Sequence, residues 1–283
     1  MIRILTDSAS DILPAESEQL GVTVIPLNVT LEDGTVLRDG VDMTPTVYYG
    51  VMARCHKLPT TSQPSPELFQ RFFLEAAAAG DEVVGIFLSH ELSGTCQCAR
   101  LAADMANVDN VLFVDSENVC LGESLLVRLA VQLRDAGKTA GQIAATLEHA
   151  KEHLHLVAVI DDLKYLRRGG RISAAAQVAG SLLKIKPILQ SDPEGHIIQH
   201  SKVRGQLKAM ETLAELYKEY AVDGTRTVGI AHADCPDGAL RLQAKLRDAG
   251  QTGEILSVCY EPVTGGHVGP GTVALFFFGE VWR

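Results

Sequence analysis

The first half of the chain alternates short apolar runs with longer amphipathic stretches. The apolar runs are rich in Val, Ile and Leu, which is typical of buried strands in a parallel sheet. They cover Ile2–Leu5, Val22–Val29, Val83–Leu88 and Val111–Val114. Apolar residues recur at helical spacing over Pro66–Ala79, Thr95–Met105, Ser124–Ala136 and Ile143–Leu154. Because strands alternate with helices, this half predicts an α/β domain whose mostly parallel sheet is covered on both faces.

The pattern changes near residue 157. A strand is predicted over Leu156–Ile160 and a helix of small residues over Ser173–Leu183, and a turn at Asp192–Gly195 joins two strands into a hairpin. The hairpin strands are Lys186–Gln190 and His196–Ser201; later strands are Thr227–Ala231, Ile255–Tyr260 and Thr272–Phe278, with helices Gln206–Tyr220 and Ala239–Ala249. This order of strands and helices favours an α+β domain with a mixed or antiparallel sheet. We therefore predict an α/β fold of two domains, residues 1–156 and 157–283.

Composition sets limits on size and partners. A chain of 283 residues with 46% hydrophobic and 21% charged residues has the composition of a globular protein, and its length predicts two domains or one large one. The formal net charge of -10 disfavours a nucleic-acid partner, because proteins that track phosphates carry a clustered basic excess.

The cysteines and the apolar runs bear on the cellular compartment. The six cysteines form no CxxC pair, so we expect reduced thiols. The first residues enter a strand-like run without a signal-peptide pattern, and no apolar run approaches the roughly 18 residues of a membrane helix. The expectation is a cytoplasmic protein without stable membrane insertion.

Four polar clusters interrupt the apolar pattern near predicted strand ends. They are Thr6–Asp11, Thr60–Ser65, Ser89–Thr95 and Gly265–Thr272. Ligands of open α/β sheets collect beyond the carboxyl ends of the strands, so three of these clusters occupy the expected rim. We expect them to converge on one site.

Ser93, Gly94 and Thr95 open a predicted helix, where free amides and the helix dipole favour an anion. Two interpretations of Ser93 stay open at this point: it contributes to such an anion site, or it only caps the helix. His267 is equally open, since a histidine among glycines fills a tight turn or donates a hydrogen bond to a carboxylate.

A serine hydrolase of acyl esters or thioesters, using Ser93 and His267, is the alternative function. The sequence contains no G-x-S-x-G elbow and does not place an orienting acid beside these residues. A metal site at His149, His153 and His155 is disfavoured because the surrounding helix is charged. No phosphate loop or dinucleotide fingerprint is present, so neither a metal nor another cofactor is expected.

Seven motifs in order along the chain resemble the DegV family. They are TDSASD at Thr6–Asp11, TSQPS at Thr61–Ser65, ELSGT at Glu91–Thr95, DLKYLRRGGRI at Asp162–Ile172, KPIL at Lys186–Leu189, KVRG at Lys202–Gly205 and GHVGPGT at Gly266–Thr272. The resemblance implies two α/β domains with a long-chain fatty acid at their interface. It also implies a lipid-carrying subunit of a bacterial fatty acid kinase, in which an ATP-binding partner protein phosphorylates the carboxylate and the acyl phosphate feeds phospholipid synthesis.

The resemblance also implies roles for individual residues. Thr61, Ser93 and His267 would hold the carboxylate of the fatty acid, and Gly94 and Thr95 would shape the turn around it. Arg204 would stand near the head group or the incoming phosphate, and Arg171 would belong to the kinase-facing surface. Such a carrier has no catalytic residues of its own. Apolar runs such as Ile25–Val29 and Phe276–Phe278 are candidates for the lipid tunnel.

Overall fold

The computed structural model describes residues 1–172 and 185–281. Over these residues the strands are β1 Ile2–Asp7, β2 Val22–Ile25, β3 Asn28–Thr30, β4 Val36–Arg38, β5 Thr60–Ser62, β6 Glu82–Phe87, β7 Val111–Asp115, β8 Leu154–Val159, β9 Ile185–Ser191, β10 Ile197–Arg204, β11 Val228–His232, β12 Ile255–Cys259 and β13 Val273–Phe278. The helices are α1 Pro14–Leu20, α2 Pro45–Met52, α3 Pro66–Ala78, α4 Thr95–Ala106, α5 Leu121–Asp135, α6 Ala140–Ala150, α7 Lys164–Gly169, α8 Gln206–Tyr220, α9 Pro236–Asp248 and α10 Pro262–Val268. The helix predicted at Ser173–Leu183 lies outside the described residues.

The first large sheet has the strand order β2-β1-β6-β7, and every pairing in it is parallel. Its strands are the short Val- and Ile-rich runs, and their apolar residues are largely buried. Helices connect its neighbouring strands, as parallel pairing requires. The prediction of a parallel sheet in the first half is confirmed.

The second large sheet has the order β10-β9-β8-β13-β11-β12. Only β11 and β12 pair in parallel; the other pairings among the described strands are antiparallel. The predicted mixed sheet is thus confirmed. The boundary predicted after residue 156 falls inside β8, which pairs with β13 from Leu154 onward. The division into two domains stays a prediction.

The prediction of a single strand over Val22–Val29 is wrong, because the structure has two strands there with Pro26 between them. Residues before the proline form β2 in the parallel sheet, and residues after Leu27 form β3 in a small antiparallel sheet of order β4-β3-β5. Proline lacks the N–H that a ladder needs, so the chain leaves the first sheet there. The small sheet, which the apolar pattern did not predict, brings β5 and Thr61 toward the site.

The predicted helix Ile143–Leu154 begins and ends elsewhere. The Thr139 hydroxyl accepts a hydrogen bond from the Gln142 amide at 3.2 Å and the Gln142 side chain accepts one from the Thr139 amide at 3.1 Å, so this capping box starts α6 at Ala140. The helix ends at Ala150, and Leu154 is already the first residue of β8. The apolar residues at helical spacing continue into β8, so their periodicity alone places the end of the helix too late.

Helix α5 lies between the two large sheets. It packs against β1 and β6 on one side and against β8, β11 and β13 on the other. Gly229 of β11 lies directly against the Leu121 side chain, which leaves no room for a Cβ atom there. One apolar core therefore joins both sheets around this helix. Among the described residues no helix is both long and apolar enough to cross a membrane.

Candidate functional site

A largely apolar cavity lies between the carboxyl ends of the first sheet and one face of the second. Its empty volume is about 790 Å³, counting its opening to solvent. Among the described residues its apolar lining consists of Ala9, Leu27, Leu88, Leu92, Val119, Leu156, Ala158, Ile160, Leu166, Leu189, Ile197, Tyr260, Val263 and Val268. Its polar lining consists of Thr61, Ser62, Gln63, Ser93, Arg171, Thr264 and His267.

Thr61 and His267 meet at this cavity although they are 206 positions apart in the sequence. The Thr61 hydroxyl oxygen lies 2.8 Å from His267 Nε2. Thr61 is held on β5, and His267 is in the last turn of α10. Packing of α10 against the small antiparallel sheet brings the two elements together. The cavity therefore has a hydroxyl and an imidazole side by side in its wall.

Ser93 lines the same cavity and does not cap α4. The N-cap of α4 is Gly94, and the Ser93 hydroxyl lies 2.9 Å from the Thr95 hydroxyl instead. Gly94 lies against the Gln63 side chain, where an added Cβ would collide with the amide oxygen. The capping interpretation of Ser93 is therefore wrong. Gly94 and the buried Thr95 shape the turn that presents the Ser93 hydroxyl.

The Arg171 side chain forms hydrogen bonds to both α7 and the loop before α4. Its Nε donates to the Leu92 carbonyl oxygen at 2.9 Å, and its Nη1 donates to the Gly169 carbonyl oxygen. Gly169 in turn lies against the His267 ring, so any side chain there would collide with the imidazole. Arg171 is half-buried in the cavity wall. The prediction that it faces a kinase stays a prediction.

The electrostatics of this end of the cavity favour an anion. Burial, together with the positive charge of Arg171, lowers the pKa of His267 to about 4. His267 is therefore neutral near pH 7, with one ring nitrogen as a donor and the other as an acceptor. Arginine remains charged in proteins. The polar end thus carries one cationic side chain and several hydrogen-bond donors.

Two other predicted features lie elsewhere. Arg204 is exposed at the end of β10, seven residues beyond Ile197, and is outside the cavity lining; its predicted role near a head group stays a prediction. Of the tunnel candidates, Leu27 lines the cavity. Phe276 and Phe277 are instead part of the packed core.

The Thr6–Asp11 cluster is buried beneath the site and contributes only Ala9 to the cavity lining. Asp11 Oδ1 accepts a hydrogen bond from the Glu261 amide at 3.3 Å. Asp39, which the sequence did not single out, accepts one from the Val263 amide at 2.9 Å and one from the Ser8 hydroxyl at 2.7 Å. Two carboxyl groups therefore hold the first turn of α10, the helix that carries His267.

Burial raises the pKa of this group of carboxyls. The pKa values of Asp7, Asp39 and Glu261 are raised to about 7, chiefly because burial disfavours the charged form. The pKa values of Asp11 and Glu123 are raised well above their usual range for the same reason. The support beneath α10 is therefore sensitive to pH near neutrality.

The arrangement does not suit serine hydrolysis. A hydrolase needs its histidine hydrogen-bonded to the nucleophilic serine and oriented by an acid. Here the Ser93 hydroxyl contacts Thr95, the His267 Nε2 contacts Thr61, and the other side of the ring faces Gly169. These contacts leave Ser93 without the hydrogen bond to His267 that would activate it as a nucleophile.

Among the described residues, side chains that could ligate a metal cluster at one place, outside the cavity. Asp192, Glu194 and His196, in and beside the β9–β10 turn, each have a ligand atom within 4.8 Å of the others. His196 Nε2 is 3.0 Å from a Glu91 carboxylate oxygen, so the imidazole already has an acidic partner. The histidines at positions 149, 153 and 155 form no such group.

Comparison with known proteins identifies the family to which this chain belongs. The family description "Uncharacterised protein, DegV family" matches residues 1–280. A DegV domain-containing protein of Halalkalibacterium halodurans is 35% identical over 281 residues. The match covers 99% of this chain and 99% of that protein. The chain therefore belongs to the DegV family.

Solved structures of similar proteins share the fold. One is a DegV family protein of Thermus thermophilus described by its fatty acid binding: it is 32% identical with a TM-score of 0.91, and the match covers 98% of this chain and 99% of that one. Another is DegV of Bacillus subtilis, described as a fatty acid binding protein, which is 31% identical with a TM-score of 0.87 and 99% coverage of both chains.

Proposed function

We propose that this protein binds one long-chain fatty acid and presents its carboxylate to a partner fatty acid kinase. The observation that carries the proposal is the contact between Thr61 and His267, beside Ser93, at the polar end of an apolar cavity. In this proposal these three side chains hold the carboxylate, and the apolar lining surrounds the acyl chain.

The two ends of the ligand have different energetic roles. Burying about 15 methylenes at ~0.8 kcal/mol each yields about 12 kcal/mol before the cost of association is subtracted. Hydrogen bonds to the carboxylate contribute roughly 1.5 to 3 kcal/mol each, and much of that offsets its desolvation. The chain therefore supplies the affinity, and the donors at the polar end fix the orientation of the carboxylate.

The relatives support a fatty acid as the ligand. The proteins of Thermus thermophilus and Bacillus subtilis, which share this fold along nearly the whole chain, are both described by their fatty acid binding. An apolar cavity with a few convergent donors is what such a ligand requires.

The kinase step belongs to another protein in this proposal. Phosphorylation of a carboxylate needs ATP, and the sequence contains no phosphate loop. The partner binds ATP and transfers the phosphoryl group, Arg204 stands near the incoming phosphate, and the acyl phosphate feeds phospholipid synthesis. The carrier works in the cytoplasm without a cofactor of its own.

Fatty acid binding is tested by titrating delipidated protein with hexadecanoate. Thr61→Val keeps the shape of the side chain and removes the hydroxyl, so we expect a 10- to 100-fold weaker affinity, as for loss of one charged hydrogen bond. Thr212→Val, on the exposed side of α8, is the matched control and should bind as the unaltered protein does. Equal affinity in the Thr61 variant would contradict the proposed carboxylate site.

The partner step has its own test. Loaded protein is incubated with ATP, with and without the ATP-binding subunit of a bacterial fatty acid kinase, and acyl phosphate is trapped with hydroxylamine. We expect product only when the kinase subunit is present. Product formed by the carrier and ATP alone would refute a non-catalytic carrier.

A further inference from the structure

Thr264 is a buried hydroxyl residue in the cavity wall. Thr264 is only 6% exposed, and its hydroxyl oxygen has no hydrogen-bond partner among the described residues. Several other side chains share this lack of a partner, but of the described residues Thr264 is the one that also lines the cavity. A polar group in this position requires a physical explanation.

The place of Thr264 follows from its helix. Thr264 and His267 are three residues apart on α10 and both line the cavity, so they lie on one face of the helix. Side chains at this spacing have Cβ atoms about 5 to 6 Å apart. Val263 and Tyr260, which come earlier in the chain, also line the cavity. The cavity therefore continues from His267 past Thr264 toward the beginning of α10.

An ordinary saturated chain would leave the Thr264 hydroxyl without a partner. A buried hydroxyl that loses water and gains no hydrogen bond destabilises the bound state. The carboxylate already has Thr61, Ser93 and His267 around it in the proposed function. A ligand oxygen a few carbon atoms from the carboxylate would reach Thr264 one helical turn away.

We propose that the Thr264 hydroxyl binds an oxygen substituent at carbon 3 of the acyl chain, so that the cavity accepts 3-hydroxy fatty acids. A hydroxyl group both donates and accepts, and a 3-hydroxyl offers the complementary partner. This inference rests on the proposed function and specifies its ligand class. Sites built to bind a ligand hydroxyl discriminate against the analogue that lacks it.

The test compares two ligands of equal length, 3-hydroxyhexadecanoate and hexadecanoate. Thr264→Val removes the hydroxyl and keeps the shape. We expect this variant to bind the hydroxy acid about 2- to 10-fold more weakly than the unaltered protein does, the range for one neutral hydrogen bond, and to bind hexadecanoate equally well or better. Thr264→Ser restores a hydroxyl and should restore the preference.

Ser124→Ala is the matched control, because Ser124 is a second buried hydroxyl without a partner among the described residues and lies on α5 outside the cavity lining. It should leave the ratio of the two affinities unchanged. An equal loss for both acids in Thr264→Val would make Thr264 a carboxylate ligand and overturn the inference. An unchanged ratio would also overturn it. If the unaltered protein binds neither acid, the carrier proposal itself fails.

Discussion

His267 is half-buried in the cavity wall, and the proposed function places it beside a charged ligand. Its pKa is about 4, because burial and Arg171 both disfavour the imidazolium. The folded state therefore holds His267 neutral, whereas the unfolded chain protonates it near its ordinary value of 6.5. The unfolded state binds more protons between these two values. The contribution of His267 to stability is present above pH 6.5 and is lost as the pH falls through 4.

A carboxylate bound beside His267 should raise the pKa of the imidazole, because a nearby negative charge favours the protonated form. The measurement is a histidine-resolved NMR titration of the protein with and without hexadecanoate. His155 is the internal control, since burial also lowers its pKa to about 4 and it lies outside the cavity lining. We expect the ligand to move the His267 midpoint upward and to leave that of His155 in place. Identical titrations of His267 would mean that no anion binds beside it.

At the scale of elements, α10 is the part of the fold on which the site depends most. Its first turn is held by Asp39 and Asp11, and its last turn carries His267. A carboxylate at a helix N-terminus is favourable, but burial of Asp39 raises its pKa to about 7. The folded state therefore keeps a proton on Asp39 up to about pH 7, whereas the unfolded chain releases it near 3.8.

The free energy of unfolding should consequently contain a term that falls as the pH rises from about 3.8 to about 7 and levels off above that, because ionised Asp39 is disfavoured in the fold. Asp39→Asn removes this ionisation. In urea unfolding we expect a smaller loss of stability between about pH 5 and pH 7 in the variant than in the unaltered protein. Some loss remains, since the pKa values of Asp7 and Glu261 are also about 7.

Asp33→Asn is the matched control for that measurement. Asp33 is exposed, and hydrogen bonds from Thr35 lower its pKa, so it is ionised throughout this range in both states. The control should reproduce the profile of the unaltered protein. A profile of Asp39→Asn that is as steep as that of the unaltered protein would contradict the assigned ionisation.

The sequence predicted some elements well and others not at all, for identifiable reasons. The parallel strands carry continuous apolar runs, which indicate buried strands in the sequence alone. By contrast, the sequence predicts no helix at α10, which contains Gly265 and Gly266, because glycine disfavours helices. The glycines are explained by packing, because they lie against the hydroxyls of Tyr49 and Tyr48. Such contacts are not visible in one sequence.

In the whole molecule, the fold brings together cavity residues that lie far apart in the sequence. Thr61, Ser93 and His267 were predicted together through the family resemblance, and the structure places all three in the wall of one cavity. The apolar lining was less predictable, because an apolar side chain has the same pattern whether it faces a cavity or a core. Leu27 lines the cavity, whereas Phe276 packs against Gly122 of α5 in the core. Asp39 was missed because no local pattern marks a residue that supports a distant helix.

The proposed function depends on what this cavity binds. The most direct measurement is mass spectrometry of an organic extract of the purified protein, followed by a hexadecanoate titration of the delipidated protein. We expect one long-chain fatty acid per chain in the extract, or saturable uptake of one equivalent if the extract is empty. An empty extract together with no uptake would contradict it.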